Sequence, residues 1–548
     1  MFFHTKFPNV LFLSKHIITI LFYVGVEESV RVNPAQRVGP LDDETTPSYR
    51  AGTRYMSDQT RSNDAVRLSE TTTRSPPLVP RLSTAVVWTL FLLSLGVMAV
   101  TRGGEWRIAD ALVIDGLTAV AWVVVTFFSG IVHSYSRRYM AGDRHLDQFY
   151  VRVLAFTLVV MTMTAADNVA LLAVAWLAMG LVMASLIGHV RGWSQAQAAA
   201  RRARRYFLAS SGALAVGLAT LARTTGATTI TGILEHAGSL PRAAALVAIG
   251  GVLLAAMIQS ALFPFHAWLL SSMTAPTPAS ALMHAGFVNA GGILLTRFAP
   301  LFADDAAVMS AVVAVGALSA LLGQLLLLVQ TDVKSKLGAS TTAQMGFMIL
   351  QCGLGFFAAA IAHLALHGLY KAYLFLSSGA AVEQTTPESA KRTRPTLSGV
   401  VVGLLTAAGG GVLFATLTGK GLKPNSGLLL TFVVVLTTTH ATRDIFRKTA
   451  LPTAMRLVGG PAVALVAIGG YAALFDAVST LLAGVPMTEA PTELTVVHLA
   501  VAASFVAAYL ATALGWHRSS KRLYVALLNL SQPNPDTVLT QKVDYDDA

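Results

Sequence analysis

Three titratable side chains recur at every fourth position in an otherwise apolar stretch, Ala362-His-Leu-Ala-Leu-His-Gly-Leu-Tyr-Lys371. On an α-helix this spacing lines His363, His367 and Lys371 along one face, over about 12 Å of axis at 1.5 Å per residue. Histidine accepts and returns a proton near neutral pH, and a lysine in apolar surroundings can be brought to do the same. A proton relay is the chemistry this stripe fits. A zinc site is the competing reading of His363 and His367, but no nearby carboxylate or thiolate completes a ligand set. Structural hydrogen bonding is the third.

A second group lies in Gln259-Ser-Ala-Leu-Phe-Pro-Phe-His-Ala-Trp268 and in the following Ala275-Pro-Thr-Pro-Ala-Ser-Ala-Leu-Met-His284. Pro264 removes a backbone hydrogen bond and predicts a broken helix. Broken helices at membrane depth line cavities or lie inside protein, and transporters build ion sites on them. His284 and Asn289 then occupy an apolar segment that ends at Arg297, with a hydrogen-bonded core histidine as the alternative for His284. The third element is Thr331-Asp-Val-Lys334, where an apolar run meets a basic turn. Lys334 either forms a surface ion pair or reaches inward as a link of the relay. Gln259, His266, Asn289 and Lys420 are supporting candidates.

These residues need elements that hold charge inside apolar surroundings, and the composition supplies them. The chain of 548 residues is 54% hydrophobic and only 12% charged, with formal net charge +12, against about 25% charged in soluble domains. That deficit points to lipid as the solvent. From Thr84 onward, apolar segments of the length that crosses about 30 Å of hydrocarbon recur near 84–101, 111–132, 150–166, 169–190, 206–223, 242–263, 277–299, 307–330, 337–354, 356–380, 398–418, 426–441, 456–480 and 494–516. They lack the alternation of a membrane β-barrel, so the fold expected is an all-α polytopic bundle of 13–15 helices. A charge at the bilayer centre costs roughly 2.5–3.5 kcal/mol, which makes the buried lysines and histidines functional candidates.

The organisation expected is an extension over 1–80, N-terminal helices over 81–240, a core over 241–385, C-terminal helices over 386–520 and a tail over 521–548. The polar stretch 42–82 reads as disordered, 9–26 reads as a signal-like segment or an extra span, and Met56 is an alternative start. Basic clusters at Arg201, Arg202, Arg204 and Arg205, at Lys334 and Lys336, at Lys391, Arg392 and Arg394, and at Arg443, Arg447 and Lys448 read as cytoplasmic orientation signals rather than a nucleic-acid surface. The lone Cys352 excludes an intrachain disulfide and a multi-cysteine metal or iron–sulfur centre. Thr418-Gly-Lys-Gly lacks phosphate-loop spacing, and neither GxGxxG after a strand nor HExxH occurs. No cofactor or metal is expected in this chain. Gly409–Gly411 reads as close helix contact or local unwinding.

The segments around Trp268, Ala275–Ala285, Gln330–Lys334 and His367–Ala372 resemble the large antiporter-like subunits of respiratory complex I (NuoL) and of multisubunit cation/proton antiporters. Ala343–Gly355, Leu369–Gly379 and His284–Gly292 are most similar to the DabB branch, the membrane subunits of two-part inorganic carbon pumps. The resemblance implies that H⁺ or Na⁺ drives bicarbonate or carbon dioxide uptake through a soluble, zinc-containing, DabA-like partner. It also implies that His284, Lys334 and Lys371 match the family's histidine and lysines. Two family charges are replaced, a glutamate by Leu177 and a lysine by Gln259, which puts a complex I-type proton path in question. Lys420 and Lys423 are the nearest candidates for the family's later lysine. The alternatives are a proton-translocating subunit of a complex I, hydrogenase or antiporter assembly, and a membrane anchor that conducts nothing. Only residues 517–548 follow Trp516, which counts against a NuoL-type lateral helix.

Overall fold

The computed structural model describes residues 77–102, 104–381, 397–447, 453–516 and 520–532. The expectations for 1–76, for the basic cluster Lys391, Arg392 and Arg394, for Lys448 and for the end of the C-terminal tail fall outside these residues. Among the described residues, twelve helices are long and apolar enough to cross a membrane. The chain is an all-α, multi-pass membrane protein.

The first spans are α1 (Leu78–Thr101), α2 (Gly116–Tyr139), α3 (Leu146–Ala165), α4 (Val169–Ile187), α5 (Ser194–Thr225) and α6 (Arg242–Gln259). Between α1 and α2 lies a small antiparallel hairpin, β1 (Trp106–Ile108) with β2 (Leu112–Ile114), in which Arg107 faces Val113. The apolar run expected to start a helix at 111 is therefore a strand until Asp115. There the carboxylate accepts the Thr118 N–H and opens α2, because an N-cap side chain satisfies a helix donor that has no partner in the preceding turn. Asn168 does the same for α4, Asp305 for α9 (Ala306–Leu327) and Asp332 for α10 (Val333–Gly353).

The expected break follows α6. Past Gln259 the chain turns through 260–265, makes the short helix Ala267–Ser271, and re-enters as α7 (Thr277–Ala285). A second break was not foreseen: α7 stops at Gly286, one 3₁₀ turn spans Phe287–Asn289, and α8 (Ala290–Arg297) completes the crossing. The α7–α8 span is the most enclosed of all, 94% buried over its apolar window. Helices α9 and α10 lie against one another at backbone distance. A Cβ on Gly316 would fall 2.4 Å from the Leu350 nitrogen and one on Gly346 2.3 Å from the Ala320 nitrogen. In lipid, such small residues let packing replace a hydrophobic drive.

The chain continues through α11 (Phe357–Leu376), α12 (Leu397–Thr418), α13 (Gly427–Arg447), α14 (Gly460–Leu481) and α15 (Val496–Leu514), then the amphipathic α16 (Lys521–Ser531). Gly409–Gly411 sit within the unbroken α12. A Cβ on Gly410 would fall 2.6 Å from Ile468 Cδ1 and one on Gly411 2.4 Å from Val435 Cγ2, while Gly409 faces open space, so Gly410 and Gly411 serve helix contact within an unbroken helix.

Candidate functional site

Alternating helix directions bring the start of α10, the start of α7 and the end of α11 to one end of the bundle, with the ends of α2 and α4. Tyr139 of α2 donates to Thr277 Oγ1 there at 3.0 Å. This end also carries Arg137, Arg138 and Arg201–Arg205, while the other carries Asp115, Asp305 and Glu489. The expected cytoplasmic orientation of the Arg201–Arg205 and Lys334 clusters would place both on one side, and the fold does bring them to the same end.

Lys334 lies in the first turn of α10, and its ammonium donates to the carbonyls of Ala275 at 3.1 Å and Met273 at 3.4 Å, in the turn that precedes α7. One turn further along α10, the Leu337 carbonyl accepts from both Lys371 Nζ and Thr341 Oγ1, each at 2.8 Å. Thr341 Oγ1 is also 2.9 Å from His284 Nδ1. The single hydroxyl hydrogen is committed to Leu337, so His284 Nδ1–H is the donor in that contact and Nε2 carries the lone pair. Lys371, Leu337, Thr341 and His284 thus form one connected polar junction between α7, α10 and α11. Lys371 and His284 are each 0% exposed, and the His284 ring stacks on Phe375 with centroids 4.4 Å apart.

From that junction the stripe on α11 leads away from the Lys334 end. His367 lies one turn before Lys371 and His363 a further turn, with the two rings stacked at 5.9 Å and 19°. All are buried. Neither ring nitrogen of His367 meets a hydrogen-bond partner of ordinary geometry among the described residues. The hydrogen bonds connect only the Lys371–Leu337–Thr341–His284 junction; His367 and His363 stand one and two turns away on the same face, as groups that can each take and return a proton. Among the described residues no cluster of three or more His, Cys, Asp or Glu is placed to hold a metal.

The supporting candidates divide. Asn289 Nδ2 donates to the Ala285 carbonyl at 2.7 Å and so satisfies backbone freed by the second break. Gln259 closes α6, is 0% exposed, and neither amide atom finds a partner among the described residues. His266 accepts no part in the junction; its Nε2 bonds the Leu530 carbonyl at 3.1 Å and ties α16 to the broken segment. Lys420 is at the opposite end, 2.6 Å from Glu489 Oε2 and between the rings of Phe356 and Phe475 at 4.6 and 4.8 Å. Leu177 lies beside Trp176, whose indole donates to Ser210 Oγ at 3.0 Å.

Sequence reasoning missed Thr341, which joins His284 to Lys371. Its only signal was a hydroxyl within a buried helix, and hydroxyls often satisfy their own helix backbone. The partner of Arg297 was missed as well. The guanidinium clasps Asp115 with both nitrogens and reaches Thr118 Oγ1 and the Thr164 carbonyl, each at 3.0 Å. Burial alone would push the Asp115 carboxyl up, but the Arg297 charge and the Thr118 bonds outweigh it and hold it below the usual carboxylate range.

Residues 166–407 match the family described as NADH:quinone oxidoreductase/Mrp antiporter, TM, and residues 101–150 match the N-terminus of chain 5 of complex I. The chain belongs to this antiporter-like family. All five residues of the line, from His284 to Lys371, fall inside 166–407, and Lys420 does not. The antiporter-like chain is 37% identical over 281 residues to a probable inorganic carbon transporter subunit DabB1 of Halothiobacillus neapolitanus, covering 50% of each. It is 36% identical over 329 residues to the probable subunit DabB of Bacillus anthracis, covering 57% of this chain and 62% of the relative. It is also 36% identical over 296 residues to NADH-quinone oxidoreductase subunit L of Mycobacterium tuberculosis, covering 53% of this chain and 46% of that one. The chain therefore matches about half to three-fifths of the length of these relatives.

Proposed function

We propose that this chain is the cation-conducting membrane subunit of an inorganic carbon uptake system in the plasma membrane. H⁺ or Na⁺ enters at Lys334 and passes through the Lys371–Leu337–Thr341–His284 junction to His367 and His363. Its movement drives uptake of bicarbonate or carbon dioxide through a soluble, zinc-containing, DabA-like partner. The observation that carries the reading is the junction itself: Lys371 of α11 and His284 of α7 meet inside the bundle on the Leu337 carbonyl and the Thr341 hydroxyl of α10, acceptors that bear no charge. An ammonium held by a carbonyl can give up its proton without leaving an unpaired carboxylate behind, a condition a stepwise carrier requires. The relatives named as carbon transporter subunits supply the substrate class.

The test is carbon-dependent growth with the Lys371→Ala or His367→Ala chain. Growth is expected to stop while membrane insertion and yield stay at the parental level; unchanged uptake in both variants would sink the assignment. A second reading, a proton-translocating subunit of a complex I, hydrogenase or antiporter assembly, is favoured by the likeness to subunit L. Purification of the tagged chain separates the two. A single large soluble zinc protein supports carbon uptake, and a set of other membrane subunits supports the second reading. A membrane anchor that conducts nothing would instead leave carbon uptake insensitive to an ionophore.

A further inference from the structure

Leu177 and Gln259 leave α4 and the end of α6 without the glutamate and lysine that the family resemblance implies there. Among the described residues, His133 is a buried titratable group that the line from Lys334 to His363 does not use. His133 of α2 is 1% exposed. Its Nδ1 lies 2.8 Å from the Ser129 carbonyl and 3.3 Å from Ser129 Oγ. A carbonyl only accepts, so Nδ1 carries the hydrogen and Nε2 holds a basic lone pair. That Nε2 is buried and has no hydrogen-bond partner among the described residues.

The surrounding hydroxyls are already ordered. Thr157 Oγ1 donates to the Val153 carbonyl at 2.9 Å, so Ser129 Oγ–H, 2.6 Å away, donates to Thr157. Tyr150 donates to the His133 carbonyl at 2.9 Å, and its ring packs edge-on to the imidazole at 5.4 Å. None of these groups needs His133 Nε2 to complete its own bonding, so the fold does not explain why a basic nitrogen is kept there.

The placement is specific. Phe128, next to Ser129, clusters with Ala285 and Ala372, the neighbours of His284 and Lys371. A Cβ on Gly368 would strike the Phe128 ring at 2.2 Å. Phe156, next to Thr157, lies 3.7 Å from where a Cβ on Gly286 would stand. The Ser129–Thr157 pair is therefore level with the second helix break and the His284–Lys371 junction. Toward the Lys334 end, Tyr139 sits six residues beyond His133 on the same helix, about 9 Å along the axis, and bonds Thr277.

We infer that His133 is the internal station of a second proton-access track, running between α2 and α3 from Tyr139–Thr277 to the level of the His284 junction. Nε2 takes a proton delivered by water, the imidazolium keeps its Nδ1–H bond to Ser129, and Nε2 returns the same proton toward the junction; no bond other than N–H forms or breaks. This rests on the proposal that the chain conducts a cation, and it specifies that cation as H⁺.

Proton flux through proteoliposomes holding the full-length assembly tests it, with Lys371→Met as the control on the parent reading. His133→Gln keeps the size and hydrogen bonding of the side chain but cannot hold a proton, and flux is expected to fall several-fold, to the part carried by the Lys334 entry alone. His133→Glu restores a proton-holding group and should recover part of that loss, whereas a structural role would tolerate glutamine better than glutamate. Wild-type flux in His133→Gln, or glutamine outperforming glutamate, overturns the inference even when Lys371→Met is dead. If Lys371→Met conducts normally, the parent reading falls and this one with it. Should His133→Gln fail to yield monodisperse protein, Thr157→Val replaces it: a several-fold loss of flux at unchanged thermal stability is expected, and unchanged flux counts against the track.

Discussion

Four cations of this bundle are held in two different ways. At the end away from Lys334, Arg297 is clasped by Asp115 and Lys420 by Glu489. Toward the Lys334 end, Lys334 and Lys371 are held by backbone carbonyls alone, at 3.1 and 2.8 Å. A cation paired with a carboxylate in a low-dielectric interior is fixed, because loss of its proton or of its partner leaves a bare charge. A cation on a carbonyl is not bound by that constraint. On the proposed reading, the first arrangement locks helices together and the second leaves a charge free to move. Cation–π contact from Phe356 and Phe475 strengthens the lock on Lys420.

The sharpest way to break this comparison is to convert one kind of end into the other. Thr341→Asp sets a carboxylate between His284 and Lys371 and should pin the ammonium. Transport is expected to drop to background in an assembly that still purifies intact, and normal transport would show that uncharged acceptors are not required. Asp115→Asn tests the opposite end. Removing one partner of a buried pair costs about 3 kcal/mol or more, so thermal stability in detergent should fall clearly while transport per folded molecule is unchanged.

The same pair sets an acid limit. The folded Asp115 carboxyl titrates below its unfolded value of about 3.9, so its contribution is complete above that value and is lost as pH falls through the folded one. Melting temperature should therefore hold from neutral pH down to about pH 5 and drop below about pH 4. Asp115→Asn should lack this part of the acid step; an identical acid profile in both proteins would remove Asp115 as its source. The smallest effect belongs to Glu489→Gln. Glu489 is 37% exposed, and screening by water limits such a pair to about 1 kcal/mol. Measured loss comparable to Asp115→Asn would mean that the two locks are equivalent after all.

Much of the core was legible because its signals are local. The four-residue spacing of His363, His367 and Lys371 placed them on one buried face, and Pro264 marked the break after α6. The apolar runs fell on helices, with 277–299 split into α7 and α8, since length against bilayer thickness is a property of the chain alone. The misses are long-range or depend on context. Residues 111–114, which hold the second strand of the hairpin, were read as the start of a helix because three apolar residues before Asp115 suit either state. The break at Gly286 carries no proline. Thr341 sits 57 residues from His284 and Asp115 182 residues from Arg297, distances across which no spacing rule operates. Lys420 was a supporting candidate through the family resemblance, and its partner Glu489, 69 residues away, could not be read from the sequence.

The sequence by itself determined that this chain lives in lipid, that it crosses many times as helices, and that a short list of charges must be hidden. Each of these follows from the transfer cost of side chains and from helical periodicity, which neighbours in the chain decide. Only the tertiary structure decided which charges meet. It brought Lys371 and His284 to a shared hydroxyl and carbonyl, and it gave Lys420 and Arg297 their carboxylates. Whether a buried charge is locked or free depends on the acceptor that another helix presents, and that acceptor is set by packing.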